Sequence, residues 1–520
     1  MTTSLKPGRL EGRAGDPGKW IGPDGRLPGR QAPPGRQAPP GRQPPPGPRT
    51  LALAGPGRSG GPYAPTRWLA RHPAWPVAAL LAGYPLWWAL GFGDFVFILA
   101  AIPMAARMYA WRAHGLRPVR TPPGFGLWLL FLVCMLAGAA ALTLTAPGTI
   151  ATPVGTRVLS FGVRAASYLS VTVLLLYAGN LAESELPRRR IAWLLGLLGL
   201  YTVAGGLGGV LAPHFSFSSP LQLMLPQSVQ ANPYIQAEMH PSLAQVQDVL
   251  GVALGRPDAP FPYTNTWGNC LALLLPWLVT AWWIRGTRRQ RVIAAGALTL
   301  VIVPIVYSLN RGLWLALIFT GGYVSLRLAA RGKLALLGMV CVGIAVAGMI
   351  IVTTPLQSLV GQRLVHGQSN AHRASLSILA TRDALSSPII GYGDTRHQQG
   401  SVTSIAVGRT AECKQCGEVS VGNNGQLWLL FICSGFVGAG LYLAFFAYGA
   451  WRFWRDTSPE GVAGVLVLLL TFVFMVAYDA VGAPLGITML AYAVLWRNDQ
   501  ARRETAAPAF IGRPDGSARP

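Results

Sequence analysis

The sequence predicts an all-α polytopic membrane protein with about 12 transmembrane helices, two long outer loops and a disordered tail ahead of them. The chain is 51% hydrophobic and only 12% charged, whereas a soluble protein carries roughly twice that charged fraction. Its apolar residues gather in stretches close to the roughly 20 residues that a helix needs to cross a bilayer. Its basic residues gather in every second connection between these stretches, which indicates repeated crossings of one membrane.

The predicted spans follow one another between residues 74 and 496. They lie at residues 74–90, 92–111, 124–144, 164–182, 191–211, 266–284, 291–309, 311–329, 334–353, 425–451, 461–480 and 483–496. Together they form a membrane domain over 73–497, with long outer loops at 212–265 and 354–424. Structured loops of this length are usually functional, so we expect any chemistry to depend on the outer face.

The chain begins with a tail, residues 1–72, that is rich in Gly, Pro and Arg. Residues 29–46 repeat one hexapeptide as GRQAPP, GRQAPP and GRQPPP. So much Pro with so few apolar residues cannot build a core, and we expect a disordered segment with polyproline II character. Attraction to anionic lipid or a cytoplasmic partner, and no essential role at all, both stay open for it. Residues 498–520 form a second cytoplasmic tail.

The net charge of +24 is distributed in a way that orients the chain. With the N-terminus inside, the inner segments hold 33 of the 43 Lys and Arg residues. This asymmetry follows the positive-inside rule and places both termini in the cytoplasm. The basic tail has no interleaved aromatic residues and no fold signal, so no nucleic-acid partner is expected. The expected partner is the lipid bilayer.

Two helices and a disulfide are predicted in the outer loops. Residues 241–254 place apolar side chains at helical spacing, which favours a helix in the outer interface. Residues 370–386 predict a second helix, ended by a Ser-Pro pair. Cys413 and Cys416 in the CKQC element predict a disulfide, because the outer face is oxidising. No further ligands are spaced nearby, so a metal site is not predicted.

Several arginines lie on the outer side, against the general charge asymmetry. Arg311 and Gly312 stand where one predicted span opens, and Arg373 opens the predicted outer-loop helix. Arg382 and Arg396 follow on the same loop. A guanidinium can grip two phosphate oxygens at once, so this group suits an anionic ligand. Interfacial arginines that reach to headgroups, or a solvated basic loop, are the open alternatives.

Small and polar residues follow these arginines in the second outer loop. Gly391 and Gly393 let the backbone turn tightly or approach a ligand. Asn423 and Asn424 precede a span, where their amides cap a helix or bind sugar hydroxyls. Asp479 lies near the outer end of the eleventh predicted span and either binds a ligand or makes a polar contact between helices.

In this order, the motifs resemble those of the O-antigen ligases and the related polysaccharide polymerases. The similarity covers roughly the second half of the chain. It includes Arg311-Gly312, the run HRASLSILATRDALSSPIIGYGDTR and the run GNNGQLWLLFICSGFVGAGLYLAFF. No single motif is specific, but their order and their placement along the predicted topology are moderately so.

The resemblance implies a metal-independent glycosyltransferase of a bacterial cytoplasmic membrane, acting without a cofactor. Such enzymes transfer a glycan from a polyprenyl diphosphate to a glycan or lipid acceptor at the outer face. By this resemblance, Arg311 and Arg373 grip the diphosphate as negative charge builds on it. The family's histidine acts as general base on the acceptor hydroxyl.

At the position that matches this histidine, the chain has Asn423, which cannot accept a proton. Three interpretations stay open: another outer residue such as Glu418, Asp394 or His397 is the base, the reaction needs little base assistance, or the transferase chemistry is lost. Two other functional classes also stay open. One is a transporter or flippase of a lipid-linked or anionic solute. The other is a non-catalytic member of a polysaccharide assembly complex.

Overall fold

The computed structural model describes most of the chain between residues 72 and 506. The described residues are 72–150, 152–230, 233–248, 253–353, 357–358, 360–361, 368–399 and 418–506. The predictions for the N-terminal tail up to residue 71, for the end of the C-terminal tail and for the Cys413–Cys416 disulfide lie outside these residues.

Helices make up most of the described structure, and the strands form two short hairpins. The helices are α1 Trp75–Ala82, α2 Tyr84–Leu90, α3 Phe95–Ala113, α4 Phe125–Ala137, α5 Val154–Asn180, α6 Arg188–Leu211, α7 Pro220–Met224, α8 Gln227–Gln230, α9 Pro233–Met239, α10 Thr264–Trp277, α11 Arg288–Leu300, α12 Ile302–Tyr307, α13 Arg311–Ala329, α14 Leu334–Thr353, α15 Gln368–Ser386, α16 Gln426–Phe453, α17 Pro459–Phe474 and α18 Ala483–Ala506. The strands are β1 Ala244–Asp248, β2 Ala253–Pro257, β3 Arg396–Gln399 and β4 Glu418–Val421.

Seven helical segments of the described chain are long and apolar enough to cross a membrane. They are Phe95–Ala113, Val154–Asn180, Arg188–Leu211, Thr264–Ile284, Arg288–Tyr307, Arg311–Ala329 and Gln426–Phe453. Shorter apolar helices cover Phe125–Ala141, Leu334–Val346 and Pro459–Phe474. The chain is therefore an all-α, multi-pass membrane protein, as predicted, while the number of twelve spans stays a prediction.

Helix α5 starts ten residues earlier than the predicted span at 164–182. The additional residues include Arg157, which is buried and donates to the carbonyls of Leu142 and Leu144 at 3.0 and 3.2 Å. A charged side chain in an apolar helix is costly unless its donors are satisfied. Because these carbonyls satisfy the Arg157 guanidinium, the helix can begin ten residues before the start of the predicted span.

The prediction of a helix over residues 241–254 is wrong, because the described residues of this segment belong to the β1–β2 hairpin. The strands are antiparallel, with Val246 opposite Gly255. The hairpin lies against the outer end of α6, where a methyl group added to Gly209 would meet the Leu243 carbonyl and Pro257. The strands gain hydrogen bonds from pairing with each other and contacts with the glycine surface of α6. These interactions favour the hairpin over the helix that the spacing of its apolar residues predicts.

The second outer loop contains its predicted helix, α15, which ends at Ser386 just before Ser387 and Pro388. It packs along α16. The chain then enters the β3–β4 hairpin, in which Arg396 pairs with Val421. The helix and the hairpin place several of the predicted site residues at one end of α16.

One part of the core is a cluster of aromatic side chains from α4, α5 and α16. The cluster consists of Trp128, Phe131, Tyr168, Tyr442, Phe445 and Phe446. Tilted and edge-to-face pairs of this kind add about 0.5–1.5 kcal/mol each beyond the burial of their area. Helix α18 packs against α5, α10 and α17, so it lies inside the bundle and holds its helices together.

Candidate functional site

Tyr478, in the connection between α17 and α18, contacts two other segments of the chain. Its hydroxyl donates to Asn310 Oδ1 and accepts from the Gly312 amide at 3.2 Å. Asn310 in turn caps α13 by accepting from the Leu313 amide at 2.9 Å. A side chain at Gly312 would overlap the Tyr478 ring. The Arg-Gly motif therefore places Arg311 at the edge of a tightly packed helix start.

Arg373, on α15, lies on the same tyrosine. Its guanidinium carbon is 5.3 Å from the centre of the Tyr478 ring, and one guanidinium nitrogen donates to the Ala477 carbonyl at 2.7 Å. A cation over an aromatic face is attracted by the ring's negative face. The two arginine-bearing segments singled out in the sequence thus meet at one aromatic side chain.

The two asparagines before α16 have different surroundings. Asn424 is buried and donates to Ser377 Oγ at 2.9 Å and to the Arg373 carbonyl at 3.3 Å. Asn423 is exposed and donates to Ser420 Oγ at 2.8 Å. Only Asn424 contacts the arginine-bearing helix, so it belongs to the cluster around Tyr478.

Three buried polar atoms of this cluster have no hydrogen-bond partner among the described residues: Asn310 Nδ2, Asn424 Oδ1 and Asp479 Oδ1. An unmade hydrogen bond on a buried polar group costs about 1–3 kcal/mol. One donor and two acceptors around Tyr478 therefore lack partners among the described residues. This pattern suits a ligand that has both hydroxyl groups and negative charge.

The Gly391–Gly393 loop packs on a break in α16 at Gly435. Both glycines have positive φ, 65° and 73°. The Tyr392 amide donates to the Ile432 carbonyl at 2.7 Å, and the Gly393 amide donates to the Cys433 carbonyl at 3.1 Å. The loop amides thus satisfy carbonyls that the broken helix leaves open, and the glycines allow this close backbone contact.

Asp394 forms an ion pair with Arg164, a residue that the sequence reasoning missed. The closest nitrogen and oxygen atoms are 2.9 Å apart, and both side chains are largely buried. Arg164 also donates to the Gly393 carbonyl and to Cys433 Sγ, each at 3.1 Å. The signal that could have identified Arg164 was a charge at the very edge of an apolar stretch.

The guanidinium of Arg396 is fully buried and bound to backbone carbonyls. It donates to the carbonyls of Ala141, Leu144, Tyr392, Asp394 and Thr395. Arg396 therefore holds the loop to the end of α4 through its two terminal nitrogens, while its buried Nε has no hydrogen-bond partner among the described residues. Arg382 is exposed on α15.

The remaining predicted residues lie on the second hairpin. His397 is on β3, and its carbonyl accepts from the Ile150 amide at 2.7 Å. Glu418 begins β4, but its side chain lies outside the described residues. Asp383 was not predicted as a site residue. It accepts from the Gln398 amide at 3.3 Å. Burial raises the pKa of Asp383 to about 6, against the lowering effects of Gln398, Arg382 and Arg396.

Comparisons with known proteins add no family to this description. No protein-family model matches the chain, and no curated protein and no solved structure matches it. The resemblance to the O-antigen ligases thus depends on the order of the motifs alone. Across the described chain, no three His, Cys, Asp or Glu side chains form a group that could hold a metal ion, and metal-free chemistry stays a prediction.

Proposed function

We propose that the protein transfers a glycan from a polyprenyl diphosphate carrier to an acceptor hydroxyl at the outer face of a bacterial cytoplasmic membrane, as a ligase or a polymerase. One observation supports this most: Tyr478 contacts both the segment of Arg311 and the guanidinium of Arg373. The two arginines that the resemblance assigns to the diphosphate come from segments that meet at this residue.

In the proposed reaction, the bond between the sugar and the diphosphate breaks while the diphosphate gains negative charge. Guanidinium groups stabilise such a leaving group because they stay charged and donate two hydrogen bonds at fixed geometry. Charges held in place before the reaction need no reorganisation as it proceeds. The bonds of Arg373 to the Ala477 carbonyl and the Tyr478 ring provide this kind of fixed position.

The unpartnered atoms beside these arginines suit the sugar part of the substrate. Asn424 Oδ1 accepts a hydrogen bond and Asn310 Nδ2 donates one, and neither has a partner among the residues described. A sugar hydroxyl both donates and accepts, so it can serve either group. In the proposed complex, the sugar therefore lies against Asn310 and Asn424 while the diphosphate lies against the arginines.

The test measures release of polyprenyl diphosphate by the purified full-length protein given a lipid-linked glycan and acceptor. Replacing Arg373 or Arg311 by Ala is expected to lower the rate about 100-fold or more, since one stabilising donor is lost in each. Arg382→Ala is the matched control, because Arg382 is on α15 with Arg373 but is exposed. It is expected to keep nearly the full rate.

Other outcomes contradict the proposal in different ways. Equal losses in the Arg382 and Arg373 variants would show a general effect of loop charge. Binding of the lipid-linked glycan without turnover by the wild-type protein would favour the transporter or assembly-complex hypothesis. If the wild-type protein neither binds the lipid-linked glycan nor turns it over, the resemblance no longer supports the proposal.

A further inference from the structure

The proposed transfer needs a proton acceptor, because the acceptor hydroxyl loses its proton as its oxygen bonds to the sugar carbon. Asn423 occupies the position of the family's histidine and has no basic group. It is also exposed and bonded to Ser420, whereas Asn424 is the neighbour that contacts Arg373. The proton acceptor is therefore expected on another element of the cluster.

Two other carboxylates of the second outer loop contact protein partners away from Tyr478. Asp394 forms its ion pair with Arg164. Asp383 lies on the buried side of α15, where Oδ2 accepts from Gln398 of β3 and Oδ1 is buried without a partner among the described residues. Neither contacts Tyr478 or the unpartnered amide atoms in any of the bonds that the structure shows.

Asp479 differs from both in its position and partners. It directly follows Tyr478 in the connection between α17 and α18, outside both helices. The residue is half-buried, and its Oδ1 is buried without a hydrogen-bond partner in the described part of the chain. Arg164 and Arg373 both attract its charge, and the Gly425 amide donates to it. It is thus an incompletely satisfied carboxylate beside the residue assigned to the diphosphate.

The surroundings of Asp479 also raise the pKa of its carboxyl group toward neutral pH. Burial raises the pKa of Asp479 to about 6, and attraction by Arg164 and Arg373 and the bond from the Gly425 amide oppose this rise. A general base is most effective when its pKa lies near the working pH. The carboxylate is then mostly ionised at neutral pH and is still a better proton acceptor than an ordinary aspartate.

We propose that Asp479 is the general base that takes the proton from the acceptor hydroxyl, an inference that rests on the proposed glycan transfer. The acceptor oxygen forms a bond to the sugar carbon, and its proton goes to Asp479. The bond from that carbon to the diphosphate oxygen breaks, and its electron pair stays on the diphosphate beside Arg373. The proton later leaves Asp479 for water, so no oxidant, reductant or metal takes part.

The experiment compares Asp479→Asn with Asp383→Asn in the full-length protein, using diphosphate release and binding of the lipid-linked glycan. Asp383 is the matched control because burial also raises its pKa to about 6. The wild-type rate is expected to rise with pH up to about 6 and then level off. Asp479→Asn is expected to lose this rise and about 100-fold to 10,000-fold of the rate, with binding retained. Asp383→Asn is expected to keep both the rate and the rise.

Rescue by azide separates a base from a structural residue. Azide is an anionic nucleophile with no proton to lose, so it is expected to restore diphosphate release to Asp479→Asn and to yield a glycosyl azide. A variant that no longer binds the lipid-linked glycan, or that azide does not rescue, would overturn the assignment. An unchanged rate and pH profile in Asp479→Asn would overturn it while leaving the proposed function intact. No turnover by the wild type would overturn both.

Discussion

Gly435 is the residue at which α16 changes direction, and its backbone explains why a glycine stands there. Its φ of 65° and ψ of −177° are non-helical and lie in a region that other residues rarely adopt. A side chain at this position would also overlap the backbone of Pro388 and Ile389. The Phe436 amide donates to the Pro388 carbonyl at 2.8 Å across this contact, so the break joins the helix to the candidate site loop.

Gly435→Ala is therefore expected to destabilise the protein by about 1–3 kcal/mol, from backbone strain and from overlap with the loop. Thermal unfolding of the purified protein in one detergent measures this. Gly440→Ala is the control, since Gly440 is on the same helix and an added methyl group meets nothing there. The control is expected to change stability by no more than about 0.5 kcal/mol. Equal effects of the two changes would contradict the explanation.

Among single residues, the sequence could predict which side chains lie near the site but not what each one binds. Arg373 and Arg396 are both arginines of the second outer loop. The structure places Arg373 over Tyr478 and surrounds Arg396 with carbonyls. The two arginines differ because their partners include residues up to 255 positions away in the chain. The sequence around each arginine cannot indicate such partners.

At the scale of elements, a pair of carboxyl groups joins the first outer loop to the membrane helices. Glu238 Oε2, on α9, accepts from the Asp94 amide at 2.7 Å, and Asp94 Oδ1 accepts from the Ala483 amide at 3.1 Å. Among the described residues, the groups that interact electrostatically with this pair are Tyr84, Tyr234, Tyr263 and Cys270, none of them a cation. Burial raises the pKa of Asp94 to about 7, and burial and the Asp94 charge raise the pKa of Glu238.

The pH dependence of stability follows from the sign of these shifts. Because the folded state holds protons on these carboxyl groups that the unfolded state releases, their contribution is complete below about pH 4 and falls as the pH rises through about 7. Thermal unfolding between pH 4 and 8 is expected to show a decreasing melting temperature. Asp94→Asn is expected to flatten this decrease, since the amide oxygen can still accept from Ala483. A wild-type profile that rises over this range would contradict the prediction.

Elements also show where local pattern succeeds and where it fails. Helix α15 was predicted nearly to the residue, because a Ser-Pro pair ends it whatever surrounds it. The helix predicted over 241–254 is the β1–β2 hairpin instead. Its strands pair with each other and pack on the end of α6. The spacing of apolar residues within the segment indicates neither the strand pairing nor the contact with α6.

Across the whole molecule, ion pairs collect at the end of the bundle that the charge asymmetry assigns to the cytoplasm. Arg285 pairs with Glu460 at 2.5 Å, and Arg452 pairs with Asp499 at 3.0 Å. Arg497 is buried and pairs with Glu183 at 2.9 Å. The inner end thus combines many arginines with partner acids. At the opposite end, burial raises the pKa values of Asp94 and Glu238, and the described groups that act on them include tyrosines but no arginine.

This asymmetry predicts the orientation of the whole chain. In a variant whose native cysteines are replaced by serine, Asn423→Cys is expected to react with a membrane-impermeant thiol reagent in intact bacterial cells. Arg189→Cys is expected to react only after the membrane is permeabilised, because it lies at the inner end. Both positions are exposed, so access to the reagent depends on the side of the membrane. The reverse pattern would overturn the predicted topology.

The sequence by itself determined that the chain is a helical membrane protein, because hydrophobic length and the placement of charge are properties of single segments. It also located the two long connections between apolar segments and the arginines on them. Only the tertiary structure decided that Arg373 and the Arg311 segment meet at Tyr478 and that Arg396 and Asp394 are held by protein partners. It also decided that one oxygen of Asp479, Oδ1, has no hydrogen-bond partner among the described residues. These outcomes depend on hydrogen bonds and close contacts between segments far apart in the chain, which exist only once the helices have packed.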